Sequence, residues 1–216
     1  MTAPDHRPAD EVALTAAKSL LRRAVRARRA VRPEAERVAQ DEQRARLVIT
    51  ELKARRPTAV AAYLSAGDEP DTLRVIAWLA AHDIPVLLPA SAGQGWREPA
   101  WARYAGPDAL REGPLSIVEP AGTALPADAL GQADVVLCPG LAATVRGERL
   151  GRGGGWYDRA LAHAAPGATT VVLLNEEEVL EVLPVEPHDR PVDLILTPTR
   201  RLPCSGAQRT SKPARD

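Results

Sequence analysis

The chain has 216 residues, enough for one α/β domain with a full core. Lys plus Arg and Asp plus Glu both number 28, so no net field points to nucleic acid or an anionic membrane. Hydrophobic residues make up 45% but aromatics only 3%, with no Phe, so the core has to be built from Ala, Val and Leu. No apolar run approaches the ~20 residues of a membrane span, and the N-terminus has no signal-peptide core. Cys138 and Cys204 do not make a disulfide framework. We expect a cytoplasmic monomer that works on small molecules, with no nucleic-acid or membrane partner.

Residues 1–10 are polar and read as a disordered tail. From Glu11 a helical stripe runs through Leu14, Ala17, Leu20 or Leu21, Ala24 and Val25, and the other face carries Lys18, Arg22, Arg23, Arg26, Arg28 and Arg29. Pro33 stops this helix and opens a second over 34–55, with Glu34 and Glu36 in its first turn. The basic face has three readings: solvated surface, nucleic-acid contact or phosphate contact. Neutral overall charge and missing aromatic platforms count against the second. In favour of the third, Lys18 and Arg22 stand four apart and project from one face.

Residues 58–64 read as the first core strand, and 65–70 as the loop at its carboxyl end. Asp71 or Thr72 caps a helix over 72–81. Glu69 lies where ligands of open α/β sheets bind, and Tyr63 either lines the same pocket or packs in the core. A second strand covers 84–88; residues 101–104 and 115–118 read as two more short ones. Trp96, Trp101 and Tyr104 are either an aromatic stacking surface or the cover of a small secondary core.

Residues 135–138 form an apolar run that Pro139-Gly140 stops. Arg149 and Arg152 precede Gly153-Gly154-Gly155, and Trp156-Tyr157-Asp158 open a helix expected to reach Gly167. Strand, glycine-rich loop and helix aim backbone N–H groups at an anion, with the arginines as counter-charge. A flexible surface loop is the alternative. The stretch is not a Walker loop, since Gly-Lys-Ser/Thr is missing, nor a dinucleotide fingerprint, whose glycines follow the strand directly. Residues 169–174 and 194–197 read as the last core strands, and 200–216 as a second disordered tail.

Pro139-Gly140 and Arg149-Leu150-Gly151-Arg152-Gly153-Gly154-Gly155-Trp156-Tyr157-Asp158 resemble the nucleotide loop of the 5-formyltetrahydrofolate cyclo-ligase (5,10-methenyltetrahydrofolate synthetase) family. That loop reads Pro-Gly-x-x-Phe-Asp, a spacer, then Arg-Leu-Gly-x-Gly-x-Gly-Tyr-Tyr-Asp. Lys18-Ser-Leu-Leu-Arg22 is similar to the family's Lys-x-x-x-Arg, and Glu69-Pro70-Asp71-Thr72 to its Glu-x-Asp-Thr. Residues 101–120 resemble its hairpin ending in Glu-Pro, and His188 to Asp193 its His-Asp-x-x-Val-Asp.

The resemblance implies conversion of 5-formyltetrahydrofolate to 5,10-methenyltetrahydrofolate with ATP as co-substrate, Mg²⁺ as cofactor, and ADP and phosphate released. The formyl oxygen attacks the γ-phosphate, N10 closes the ring and phosphate leaves. Substrate atoms make the bonds, so the protein has to position two substrates and offset charge. By the same resemblance Lys18, Arg22, Arg149, Leu150, Gly151, Arg152, Gly153, Gly154, Gly155, Trp156 and Tyr157 hold ATP, with Lys18 and Arg152 acting on the reacting groups. Glu69, Tyr63, Arg152 and Trp101 are expected at the reduced folate, and Asp158 and Asp193 at Mg²⁺. On its own Asp193 reads as a structural turn residue; the family's register moves it to the metal.

The expected fold is a three-layer α/β/α domain over 11–199, with a mainly parallel central sheet, N-terminal helices and a small β-hairpin insertion. Two departures stand out: Phe-Asp is replaced by Ala143-Thr144, and the first tyrosine of the pair by Trp156. The first favours an alternative, a diverged ATP-binding paralogue with another substrate or a role as a folate-binding regulator.

Overall fold

The computed structural model describes residues 9–92 and 95–206. In chain order come helices α1 (Ala9–Ala30) and α2 (Glu34–Arg55), strand β1 (Val60–Ala61), helix α3 (Leu73–Ala80), and strands β2 (Val86–Pro89) and β3 (Trp101–Arg103). Next are β4 (Leu110–Glu112), β5 (Val118–Pro120), β6 (Val135–Pro139), β7 (Ala142–Ala143), β8 (Arg149–Leu150) and helix α4 (Trp156–Leu161). Strands β9 (Thr169–Leu173), β10 (Leu194–Leu196) and β11 (Arg201–Pro203) complete the described chain.

Seven strands form one sheet in the order β11-β10-β9-β6-β1-β2-β3. The five inner strands run parallel, and β3 and β11 close the edges antiparallel. Parallel strands covered on both faces are apolar throughout, as Val135–Cys138 and Val171–Leu173 are here. One face carries α2 and α3 through Ala45, Val48, Leu52, Val75, Ile76 and Leu79. The other is covered by α4, by a 3₁₀ segment at Ala127–Gln132, and by the small β7–β8 pair with α1 outside it.

Several expectations need correction. Residues 201–203 are not tail but an edge strand, because β10 has a free edge there and Arg201 reaches Glu51 on α2 (2.7 Å). The expected 101–120 hairpin is confined to the second half of that stretch. Trp101–Arg103 joins the main sheet beside β2, and the hairpin is β4 with β5. Helix α4 stops at Leu161 rather than Gly167; turns follow, up to Pro166-Gly167. The inward stripe of α1 is Leu14, Lys18, Leu21, Arg22, Val25 and Arg29, whereas Leu20 is 57% exposed. Cations turn inward because distant acids and carbonyls receive them. Calls on residues 1–8 and 207–216 lie outside the described residues.

Candidate functional site

A cleft of about 320 Å³ opens at the carboxyl ends of β1 and β6, where chain segments leave the sheet in different directions. Its two ends differ in chemistry.

One end is charged. Lys18 on α1 is 4% exposed, and its Nζ lies 2.6 Å from both Glu186 Oε2 and Asp189 Oδ2. One turn on, Arg22 Nε donates to the Gly151 carbonyl (2.9 Å). Arg149, at the end of the β7–β8 pair, donates to Asp158 Oδ1 (2.7 Å) and to the Pro139 carbonyl (3.3 Å). The Arg190 N–H donates to the same Asp158 oxygen (3.2 Å), which sets the 186–190 segment beside α4. The second Asp158 oxygen accepts no hydrogen bond among the described residues. Glycines Gly153 (φ 108°) and Gly155 (φ 62°) take left-handed backbone at the loop's bends, which a side chain would strain. Arg159 braces the loop from α4 through the Gly154 carbonyl (3.1 Å). This loop is tied from two helices, so the flexible-surface alternative does not describe it.

The other end is largely apolar, walled by Leu64, Pro89, Trp96, Ile117, Val118 and Trp156. Trp96 Nε1 donates to the Pro114 carbonyl (3.0 Å), linking its loop to the β4–β5 hairpin. Its ring stands 6.3 Å from that of Trp156, edge to face. Between the two ends, Arg152 Nε approaches Glu69 Oε1 at 3.3 Å. Glu69 Oε2 accepts from the Ala66 N–H (3.0 Å). Burial pushes the Glu69 carboxyl up, and Arg152, the Ala66 N–H and Arg29 pull it only partly back. Burial likewise raises the phenols of Tyr63, which donates to the Pro70 carbonyl (2.9 Å), and of Tyr157. The Tyr157 hydroxyl is buried without a partner among the described residues.

Lys18, Arg22, Glu69, Tyr63, Asp158 and the run Arg149–Tyr157 therefore meet in one cleft. Three expected residues do not. Trp101 is 0% exposed, one ring further in than Trp156 (5.2 Å between centroids), and fills the secondary core with Leu130 and Leu161. Tyr104 also packs on a core, that of α2 and α3. Asp193 sits at the amino end of β10, where its Oδ2 accepts from the Thr170 N–H and hydroxyl (both 2.6 Å); it is a turn residue.

The residues missed are Glu186, His188 and Asp189, which offer three ligand atoms within 4.8 Å of one another beside Lys18. The same His-Asp-x-x-Val-Asp stretch contains both aspartates, and its pattern does not say which one turns to the cleft. Ala143 and Thr144 lie in the β7–β8 pair: Ala143 packs on Val172 and Val192, and Thr144 donates to Glu148 (2.7 Å).

The family model described as "5-formyltetrahydrofolate cyclo-ligase family" matches residues 14–198. A 5-formyltetrahydrofolate cyclo-ligase of Mycolicibacterium smegmatis is 38% identical over 144 residues, 65% of this chain and 74% of that protein. The cyclo-ligase of Escherichia coli is 34% identical over 146 residues, 65% of this chain and 78% of that one. The NMR structure of 5,10-methenyltetrahydrofolate synthetase from Aquifex aeolicus superposes with a TM-score of 0.75 at 27% identity, covering 87% of this chain and 93% of its own.

Proposed function

The chain belongs to the 5-formyltetrahydrofolate cyclo-ligase family, and on that premise we propose that its cleft joins ATP and 5-formyltetrahydrofolate to give 5,10-methenyltetrahydrofolate, ADP and phosphate. One observation carries the reading. A single cleft holds a cation-lined glycine loop at one end and an aromatic, apolar wall at the other, with Arg152 and Glu69 between them.

The triphosphate takes the charged end. The glycine loop 151–155 lines that end, and Lys18, Arg22 and Arg149 supply charge from two sides. The reduced pteridine takes the apolar end, against Trp96 and Trp156, where its ring N–H and amino groups meet the Glu69 carboxylate. Tyr63 shapes that end from below. Arg152 stands at the junction, where the formyl oxygen attacks the γ-phosphorus and ADP leaves. N10 then closes on the activated carbon and phosphate departs. The protein contributes orientation, exclusion of water and charge compensation, and no side-chain nucleophile is required.

The donor set fits Mg²⁺. Asp158 has an oxygen to spare, and Asp189 and Glu186 bring hard carboxylates to the same end. Asp158 with Asp189 would hold the ion, which would supply positive charge to offset that of the phosphates. Ala143 and Thr144 pack away from the cleft, which removes the observation that favoured a diverged paralogue.

The test is absorbance of the methenyl product from purified protein, 5-formyltetrahydrofolate, ATP and Mg²⁺, omitting each in turn. Product that requires all of them supports the proposal. Retained nucleotide binding without product refutes it.

A further inference from the structure

We propose that Arg29, on the inward face of α1, is a positioning residue for Glu69, reaching it through a small polar cavity and holding its carboxylate ionised and aimed at the substrate. The proposal rests on reading Glu69 as the carboxylate that meets the folate. Sequence alone places Arg29 on a solvated basic face; it is instead 4% exposed. Its Nε and Nη2 fork the two oxygens of Glu178 (2.7 and 2.8 Å), and Nη2 also donates to the Gly140 carbonyl (2.8 Å). Glu178 is itself fixed by the Asn175 N–H and side-chain amide (both 2.8 Å). The guanidinium is thus clamped to the carboxyl ends of β6 and β9.

Its third nitrogen, Nη1, is buried with no acceptor among the described residues. Buried guanidinium N–H groups are costly to leave unmade, so such an atom marks where something completes it. Next to Arg29 is a cavity of about 10 Å³, room for one water, lined also by Asp68, Glu69 and Asn175. Glu69 lines both this cavity and the large cleft and so stands between them. One water joining Nη1 to Glu69 satisfies the orphan donor and puts a fixed cation behind the carboxylate.

The charges around Glu69 make this contribution matter. On the cleft side it faces Arg152 from the glycine loop and the Tyr63 and Tyr157 phenols; Asp68 precedes it in the chain. Behind it, Arg29 comes from α1, Arg32 from the turn that follows α1, and Arg37 and Asp41 from α2. Arg152 is 49% exposed on a loop, and Arg32 is bound to Glu36 and Glu177. Arg29 is the most deeply buried of these cations, held by a partner that is itself buried.

Arg29→Met alone strands Glu178 as a buried unpaired carboxylate and is expected to fold poorly. The informative variant is Arg29→Met with Glu178→Gln, which removes both charges, with Glu178→Gln alone as reference. Glu69 is titrated in the ligand-free protein by carboxyl ¹³C NMR, and 5-formyltetrahydrofolate affinity is measured over the same pH range. Burial already holds Glu69 high, so losing a cation raises its midpoint further, by about one pH unit. Folate binding then weakens relative to the reference as pH falls through the shifted midpoint, by up to about tenfold below the reference midpoint. A Glu69 midpoint unchanged from the reference overturns the proposal. A shifted midpoint with folate affinity indifferent to pH supports Arg29's role and counts instead against Glu69 as the folate contact. If the double variant does not fold, a high-resolution crystal structure decides: ordered water between Nη1 and Glu69 supports the link, and its absence overturns it.

Discussion

Asp158 carries two loads, and substituting it two ways separates them. Its Oδ1 accepts from Arg149, whose side chain is 2% exposed, and from the Arg190 N–H, while its other oxygen is free for a metal. Asp158→Ala leaves Arg149 buried and uncompensated, a loss of about 3–5 kcal/mol. For a chain of this length that lowers Tm by roughly 6–20 °C. Asp158→Asn keeps a carbonyl oxygen for both donors and loses only the charge assistance, about 1–2 kcal/mol, or roughly 2–8 °C. On the proposed function both variants lose a metal ligand, so product formation is expected to fall at least about a hundredfold in each. Calorimetric melting with and without Mg·ATP, next to the absorbance assay, reads the two loads independently. At a hundred times Kd the wild type gains about 2.7 kcal/mol from the nucleotide, and the Asn variant is expected to gain little. Asp193→Ala is the control: it loses its bonds to Thr170 and melts earlier, yet keeps its Mg²⁺ response. An Asn variant that turns over at the wild-type rate with full Mg·ATP stabilisation would falsify the metal role. Equal melting of Asn and Ala variants would show that the Arg149 pair contributes nothing.

Two further predictions use side chains outside the phosphate end. Trp101→Ala empties a fully buried ring and should cost about 3–5 kcal/mol, whereas Trp96→Ala, half-buried on the cleft wall, should leave Tm nearly unchanged and raise the folate KM up to about tenfold; the reverse pattern would put the stacking surface on Trp101 after all. Burial pushes Glu176 up, but hydrogen bonds from Thr197 and Thr199 and the Arg200 guanidinium overcome it and hold the carboxyl at about 2, against an ordinary 4.5. A depressed folded value stabilises above the ordinary one and is lost as pH falls towards the folded one. Urea midpoints of wild type and Glu176→Gln should therefore differ steadily near neutrality and converge on acidification, and a gap that ignores pH would contradict the assignment.

How much was legible depended on how local the deciding interaction is. Helix α2 matches its predicted 34–55 because Pro33, the acidic first turn and an amphipathic stripe are all local signals. The strands β6 and β9 were readable because burial on both faces leaves an uninterrupted apolar run. Trp101 and Trp96 were not separable, since a three-residue edge strand shows no alternation to say which ring points inward. The inward turn of Lys18 and Arg29 was hidden because their partners lie 168 and 149 residues away in the sequence. Asp189 and Asp193 share one motif; only the path of the chain past α4 brings the first to the cleft.

Those distant partners also account for how the proposed phosphate site fits a chain of zero net charge. Each buried cation at the charged end is matched before any ligand arrives: Lys18 by Glu186 and Asp189, Arg149 by Asp158. On the proposed function, ATP without a metal would meet carboxylates as well as cations, and a divalent ion held by those carboxylates would offset the repulsion and leave Lys18 to the phosphates. The arrangement predicts that metal-free ATP binds much more weakly than Mg·ATP, and that the gap is set by the acids. Glu186→Gln removes one of them while leaving Asp158 and Asp189 in place, so calorimetric titration should show metal-free ATP binding tighter than in the wild type, by about tenfold for a charge pair at this separation in a partly solvated cleft. Metal-free affinity unchanged by that substitution would mean that Lys18 is available to the nucleotide from the start, and that its two short contacts to Glu186 and Asp189 do not gate the site.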